Sequence, residues 1–517
     1  MICNILKFNK LSNLQKSFAY FSTQVAKKEF VNFQDEWENA RSFDEIPQPS
    51  KISLIRAFLP GGKYYKLSLI DMHRSMNKEY GTMVKFPEVL GRRGMVCSYN
   101  VEDVEKLFRH EGQTPYRRTL ETLHHYRKKY RPEVYEEYGG LFTEQGESWY
   151  KMRTIANPVL LQPKTIKQYI PQVDDVSKEF IKMIVQKLDA NNECPENFSD
   201  YLNLWSLESI ANISLDRRLG IVSGNYQDEM AERLIKSIRQ FFVEVYEFEV
   251  NMSVWKYYET KAFKNLMNLY DELTNIILHY VEKAIEDIQK KTIRNDKEES
   301  ILEKLLKINK NAAIVMTADA LLAGVDTTSS ATIGILYCLA KNQDKQNKLR
   351  EELKSILRNE NDELTPKNMQ NMPYLRACIK EGFRLYPPTV GTVRKADQDL
   401  VLSGYKIPKG TEVVMPIALF QKDCYTRANE FIPERWLKEI LDTNCPHAKE
   451  ASPFSYLPFG FGSRVCIGKR LANLEMEVLI TRLIRDYKIE WNYPELKFKV
   501  AIVNIPDGAL KFKITKI

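Results

Sequence analysis

Apolar residues recur at intervals of three and four between about 52 and 385. This spacing predicts amphipathic helices over stretches such as 162–190 and 258–290. The stretch 311–340 differs: it is apolar on every side, yet it contains Asp319, Asp326 and the run Thr327-Thr328-Ser329-Ser330. Two acids without an evident partner are costly inside a bilayer, so it reads as a long buried helix crossing the protein. After Pro387 the texture changes to short β-prone runs with turn signals. "LVLSGYKIPKGTEVVM" carries Ser403-Gly404 and Lys409-Gly410, and the C-terminus alternates in "LKFKV" and "ALKFKITKI". Residues 30–50 read as a loop that ends at Pro47 and Pro49, and 289–300 (QKKTIRNDKEES) as an exposed polar loop. The predicted fold class is mainly α with small β-sheets. No repeat and no Pro/Gly/Ser-rich linker divides the chain, which predicts one large domain.

Composition changes this picture in two places. The formal charge is +8, but residues 1–28 hold Lys7, Lys10, Lys16, Lys27 and Lys28 with no acid, leaving about +3 for the rest. That near-balance argues against a nucleic-acid binder. The N-terminal segment is acid-free, Ser-containing and amphipathic, too interrupted for a secretory core and too short in apolar residues to span a membrane. It reads as a mitochondrial transit peptide over 1–28, without the usual arginines, followed by a domain over 29–517. The eight cysteines are scattered, with no CxxC, so no disulfide framework is expected and most should be buried apolar fillers.

One cysteine stands apart. Phe459-Gly460-Phe461-Gly462-Ser463-Arg464-Val465-Cys466-Ile467-Gly468 precedes the helical pattern "KRLANLEMEVLITRLIRDY". Its glycines permit tight turns and close approach to a flat group. A Cys at a helix start is favoured as thiolate by free N–H groups and by the helix dipole, and Arg464 can neutralise an anion nearby. A phosphate loop fits less well, because five residues separate Gly462 from Gly468 and Arg470 stands where that motif needs Ser or Thr. A nucleophilic Cys with a His base supplied by the fold stays open on these residues alone. In the long buried helix, Ala323-Gly324-Val325-Asp326-Thr327-Thr328 juxtaposes an acid and an alcohol. Such a pair, joined to ordered water, can pass protons into a dry pocket. Glu381 and Arg384 lie three residues apart in "PYLRACIKEGFRLYPP", ordinarily no more than a weak surface pair.

The cysteine run resembles the haem-binding loop of the cytochrome P450 family, Phe-x-x-Gly-x-Arg-x-Cys-x-Gly, at Phe459, Gly462, Arg464, Cys466 and Gly468. The resemblance implies a P450 fold enclosing haem b (iron protoporphyrin IX), with Cys466 as the proximal iron ligand. It implies that Glu381, Arg384 and Arg435 of "PERW" form a buried ionic triad. It also assigns oxygen activation to Asp326 and Thr327, gives Gly324 the task of making room over the haem, and makes Trp149, Arg153, Arg394 and Arg464 partners of the propionates.

"FDEIPQP", "EGQTPYRR" with "YRKKYRPE", and "GLFTEQGESWYKMRTIANPVLLQP" resemble the mitochondrial clan of that family. "LWSLESIANISLDRRLG" resembles its arthropod members, thought of as detoxifying enzymes. This closer resemblance implies a monooxygenase on the matrix side of the inner mitochondrial membrane, peripherally attached. Its substrate would be a hydrophobic small molecule, steroid or xenobiotic, and its oxidant dioxygen. Electrons would pass from NADPH through a ferredoxin reductase to an acidic ferredoxin, which would dock on Arg376, Lys380, Lys469 and Arg470. Two other functions compete: a haem-thiolate isomerase or rearrangement enzyme, and a non-catalytic haem sensor. Substrate contacts are expected around 115–135, 225–260 and Thr317 to Gly324, and at Thr389 to Val393 and Val503 to Pro506. Phe241, Phe242, Val245 and Trp255 of 225–260 suit either a membrane surface or ordinary core.

Overall fold

The computed structural model describes residues 33–517 except 66, 90–91, 119, 136, 224–228, 252, 291–298, 440–444 and 500–501. The transit-peptide reading of 1–28 and the middle of the polar stretch 289–300 lie outside the described residues. Eight helices build the body: α1 (Gly146–Leu160), α2 (Ile170–Val185), α3 (Phe198–Ser214), α4 (Glu229–Glu249), α5 (Lys261–Lys290), α6 (Lys310–Lys341), α7 (Pro373–Leu385) and α8 (Lys469–Asp486). The apolar periodicity of 162–190 thus resolves into a short helix, Pro163–Lys167, followed by α2.

α6 is the axis of the molecule. The Asn309 side chain accepts from the Ala312 N–H at 2.8 Å and starts it. Almost every residue along its second half is buried, so the helix is covered on all sides. Its acids do have partners. Asp319 Oδ1 receives Arg127 Nη2 at 2.6 Å and Oδ2 receives the Leu141 N–H at 2.9 Å, all buried. These bonds satisfy both oxygens of Asp319 and explain how a carboxylate sits in an apolar helix. Among the described residues no helix is long and apolar enough to cross a bilayer.

A small sheet flanks the helices: β1 (Met83–Phe86), β2 (Met95–Ser98), β3 (Thr392–Lys395) and β4 (Glu412–Met415), in the order β1-β2-β4-β3. β1 and β2 are antiparallel, β2 runs parallel to β4 with Val96 opposite Val413, and β4 is antiparallel to β3. The first two strands fall inside the region where helical spacing dominates the sequence, a correction to that reading. Residues 33–39 are helical rather than loop, a second correction. The pairs Leu400–Leu402 with Tyr405–Ile407 and Lys497–Lys499 with Ile505–Asp507 occupy the β-prone C-terminal runs. None of the seven described cysteines is joined in a disulfide.

Phe241, Phe242 and Val245 are buried in the core, and the Trp255 ring stacks on Phe263 at 5.2 Å with only 6° between planes. The membrane reading of those four is therefore corrected to core packing. Val243, Val254, Tyr257 and Tyr258 are the exposed large hydrophobic residues among the described part of that segment.

Candidate functional site

The Cys466 loop leaves a turn made by Gly460 and Gly462, whose φ values of 75° and 72° suit glycine, and enters α8 at Lys469. Cys466 N–H donates to Phe459 O at 2.9 Å, which closes the loop. The Sγ faces the backbone N–H groups of Gly468 and Lys469, and Arg117 and Arg153 lie close enough to favour its thiolate. Burial acts the other way and sets the net direction, raising the thiol pKa. Cys466 nevertheless keeps an accessible surface. Among the described residues no group of three or more His, Cys, Asp or Glu is placed to hold a metal ion.

α7 holds this loop in place. The Phe459 ring meets Phe383 edge-on at 5.2 Å, and Tyr456 donates to Lys380 O at 3.0 Å. Beneath them, Arg384 reaches Glu381 through two bonds of 3.0 Å, and Arg435 Nε reaches Glu381 Oε1 at 3.0 Å. The Ile432 N–H and Trp436 Nε1 fill the remaining acceptor sites of Glu381 at 3.0 and 2.8 Å. All three charged side chains are fully buried. The pair that would be weak at a surface is thus an interior network that saturates the Glu381 carboxylate, leaves Arg435 Nη2 without a partner, and joins α7 to the segment before the cysteine loop.

The expected propionate partners converge. Arg464 Nε and Nη2 donate to Pro115 O at 3.0 Å and Gln145 Oε1 at 2.8 Å, and its guanidinium carbon lies 3.9 Å from the Trp149 ring centre. Arg153 Nη2 donates to Val465 O at 2.8 Å, directly before the cysteine. Arg394 Nη1 donates to Thr392 Oγ1 at 2.9 Å, and its Nε lies against Glu111. Sequence reasoning missed two members, Arg117 and Glu111. Burial, with Arg117, Arg394 and Arg153 repelling it, pushes Arg464 down to about 8; burial and Arg394 bring Arg117 to about 10. Glu111 is pushed up to about 7 by burial, against the pull of Arg394. Arg117 Nε, Arg153 Nε and Arg464 Nη1 are buried without hydrogen-bond partners. Four guanidiniums share one carboxylate, so the cluster calls for further negative charge.

On α6 the acid and the alcohol diverge. Thr327 lines a cavity and donates to Ala323 O at 2.6 Å. Asp326 turns towards α3, where Oδ1 accepts from Asn203 Nδ2 at 2.7 Å and Oδ2 is buried without a partner. Burial pushes Asp326 up to about 6, opposed by Arg239 and the Asn203 bond. The role expected of Gly324 is corrected. An added Cβ there would meet Ile210 of α3 at 3.0 Å, and the Gly324 carbonyl accepts from Ser206 at 3.0 Å. Glycine at this position lets α3 and α6 approach, and Ala323 lines the cavity instead. Ser206 also touches Glu475 of α8 at 3.5 Å, a carboxyl that burial holds well above its ordinary pKa.

The cavity measures about 520 Å³. Phe241, Phe242, Leu322, Val390 and Val503 supply apolar wall, all from segments expected to touch substrate. Leu54, Phe58, Met72, Phe86, Val89 and Arg92 also line it and were not foreseen. Thr317 is buried elsewhere and does not line it. On the expected docking face, Lys380, Lys469 and Arg470 are exposed, and partial burial, then Arg376 and Lys469, depress Lys380. Arg376 is partly withdrawn, because its guanidinium donates to Met369 O and Gln370 O at 2.8 and 2.7 Å.

Known proteins match this arrangement closely. The family model described as Cytochrome P450 matches residues 48–509. The chain is 42% identical over 522 residues to "Probable cytochrome P450 12b2, mitochondrial" of Drosophila melanogaster, covering 99% of this chain and 96% of that relative. It is 42% identical over 496 residues to "Cytochrome P450 CYP12A2" of Musca domestica, covering 93% and 92%. It is 41% identical over 483 residues to "Cytochrome P450 12b1, mitochondrial" of Drosophila acanthoptera, covering 92% and 90%. The class defined is that of haem-thiolate monooxygenases. The chain belongs to the cytochrome P450 family, whose members bind haem b. The residues present fit that group: two propionates and a Cys466 thiolate would bring the three negative charges that four arginines and Glu111 lack.

Proposed function

We propose that this protein inserts one oxygen atom of dioxygen into a hydrophobic small molecule, with Cys466 as the axial ligand and Arg117, Arg153, Arg394 and Arg464 holding the propionates. The observation that carries this reading is the accessible Cys466, bracketed by two backbone N–H groups and two guanidiniums, beside a cluster short of negative charge. Haem b, when bound, supplies the iron at which dioxygen is reduced. Trp149 holds the Arg464 guanidinium over its ring, and Phe459 anchors the start of the cysteine loop against Phe383 of α7. Thr327 presents its hydroxyl to the cavity, while Asp326, raised towards neutrality by burial, holds the exchangeable proton on the α3 side.

Electrons come from NADPH through a ferredoxin reductase and an acidic ferredoxin, which meets Lys380, Lys469 and Arg470. The mitochondrial names of the relatives and the basic start over 1–28 support import into the matrix, with 29–517 as the working enzyme. Exposed Val254, Tyr257 and Tyr258, with Ile52 and Leu59, offer apolar side chains to the inner membrane surface.

The test uses protein from residue 29 onward, reduced and exposed to carbon monoxide. The strongly red-shifted Soret band of thiolate ligation is expected, together with turnover that requires NADPH, reductase and ferredoxin. A band at the position of His-ligated haem in fresh protein would overturn the reading.

A further inference from the structure

Arg92 lies in the connection between β1 and β2, where reciprocal backbone bonds with Val89 (3.0 and 3.3 Å) fix its position. Its side chain lines the cavity that Thr327 also lines. Nη1 donates to Val250 O, just past the end of α4, and Nη2 is buried with no hydrogen-bond partner. No ion pair to Arg92 occurs among the described residues. The neighbouring acids are already engaged. Glu249 accepts from the N–H and the hydroxyl of Thr122 at 2.7 Å each, Glu412 pairs with Arg118 at 3.3 Å, and Glu121 pairs with Lys256. Burial and Arg118 push Arg92 down to about 10, so it stays charged at neutral pH. Nor does it belong to the cluster around Cys466. Its electrostatic neighbours are Arg118, Glu249, Glu121 and Tyr246, and none of the four clustered arginines or Glu111 is among them.

A half-buried cation whose Nη2 is enclosed without a partner, at a largely apolar wall, is unfavourable unless a ligand completes it. We propose that Arg92 is a specificity-determining residue, and that the cavity takes amphipathic acids: an apolar body carrying one carboxylate, which Arg92 Nη2 receives. The apolar body lies along Phe241, Phe242, Leu322 and Val503, within reach of the wall formed by Ala323 and Thr327. The charge-assisted bond fixes one end of the molecule and so restricts which carbon can approach the oxidising centre. This rests on the monooxygenase reading of the same cavity and names its substrate class.

The experiment compares dodecanoic acid with methyl dodecanoate on purified holoprotein, at neutral pH. Binding is read from the Soret shift and by equilibrium dialysis, so a ligand bound away from the iron is still counted. Wild type is expected to bind the acid about tenfold or more tighter than the ester, since one charge-assisted bond is worth roughly that factor. Arg92→Gln is expected to erase the preference while affinity for the ester stays as it was. Equal affinities in wild type, no binding of the acid, or a preference that survives in Arg92→Gln overturns the proposal. The wild-type comparison needs no variant, so a poorly folding Arg92→Gln leaves it decidable. The carbon monoxide band of the same preparation tests the monooxygenase reading separately: a normal band with equal affinities removes only the role of Arg92.

Discussion

Arg464 lies over the face of Trp149, its guanidinium carbon 3.9 Å from the ring centre, and the two come from segments more than three hundred residues apart. Trp149 is 1% exposed, so the ring is wall and partner at once. The contact keeps a cation that burial and three like charges would otherwise displace. Trp149→Ala is expected to lower the haem-to-protein ratio after gel filtration and to cost about 3–5 kcal/mol of stability by the cavity it leaves. Trp149→Phe should retain most of the haem. Equal haem retention in Trp149→Ala and wild type would show that the contact is incidental.

Glu381 has the opposite problem, since it is one anion serving two buried cations and two further donors. Neutralising it in Glu381→Gln leaves Arg384 and Arg435 as uncompensated buried charges, at about 3–5 kcal/mol. Because the triad supports the α7 face against which Phe459 packs, the loss should reach the cysteine loop. Lower yields of holoprotein and a carbon monoxide band shifted away from the thiolate position are expected. Denaturant midpoints matching wild type would contradict this.

Asp326 gives a pH dependence with a definite sign. Its folded pKa is about 6 against an ordinary 3.8, so between those values the folded state binds the extra proton. Native stability from this group is fully present below the lower value and is lost as pH rises through about 6. The charged groups facing it are Arg239, which opposes the shift, and Asp200, which adds to it. Asp326→Asn cannot ionise, so its stability relative to wild type should climb from about pH 4 to pH 6 and then level, by up to about 3 kcal/mol. Thermal melting of both proteins across pH 4–8 checks this. A constant difference across the range would place the raised pKa elsewhere.

How much of this was legible in the chain depends on how local each signal is. The long helix α6 and the cysteine loop stand in continuous sequence, and the triad announces itself through Glu381, Arg384 and Arg435 in two short runs. Arg117 and Glu111 had no such signal. They are single charged residues in a polar connection, and only the folding of 111–117 against Arg394 and Arg464 gives them meaning. β1 and β2 are four residues each, too short for alternation to show, and their partner β4 lies some three hundred residues on. The divergence of Asp326 and Thr327 follows from helix geometry, because adjacent positions point about 100° apart and can meet different neighbours. Which of them faced the cavity, and that Gly324 faced Ile210, required the neighbouring helix α3.

The basic face can be tested only with the right residues. Arg376 is a poor choice for charge reversal, because its guanidinium holds the carbonyls of Met369 and Gln370 and its loss would disturb the start of α7. Lys380 and Lys469 are exposed, and burial of part of the Lys380 chain, with Arg376 and Lys469 nearby, lowers the Lys380 ammonium. Lys469 lies 5.6 Å from the Phe459 ring and Lys380 5.8 Å from Trp436, contacts too slight to carry the fold. Reversing both to Glu should therefore leave haem content and the carbon monoxide band intact. Reduction by an acidic ferredoxin, followed by stopped flow, should slow about tenfold at low salt. The deficit should shrink as ionic strength rises and screens the attraction in wild type. A slowing that persists unchanged at high salt would point to a lost contact rather than lost steering, and no slowing would move the electron-entry face elsewhere on the surface.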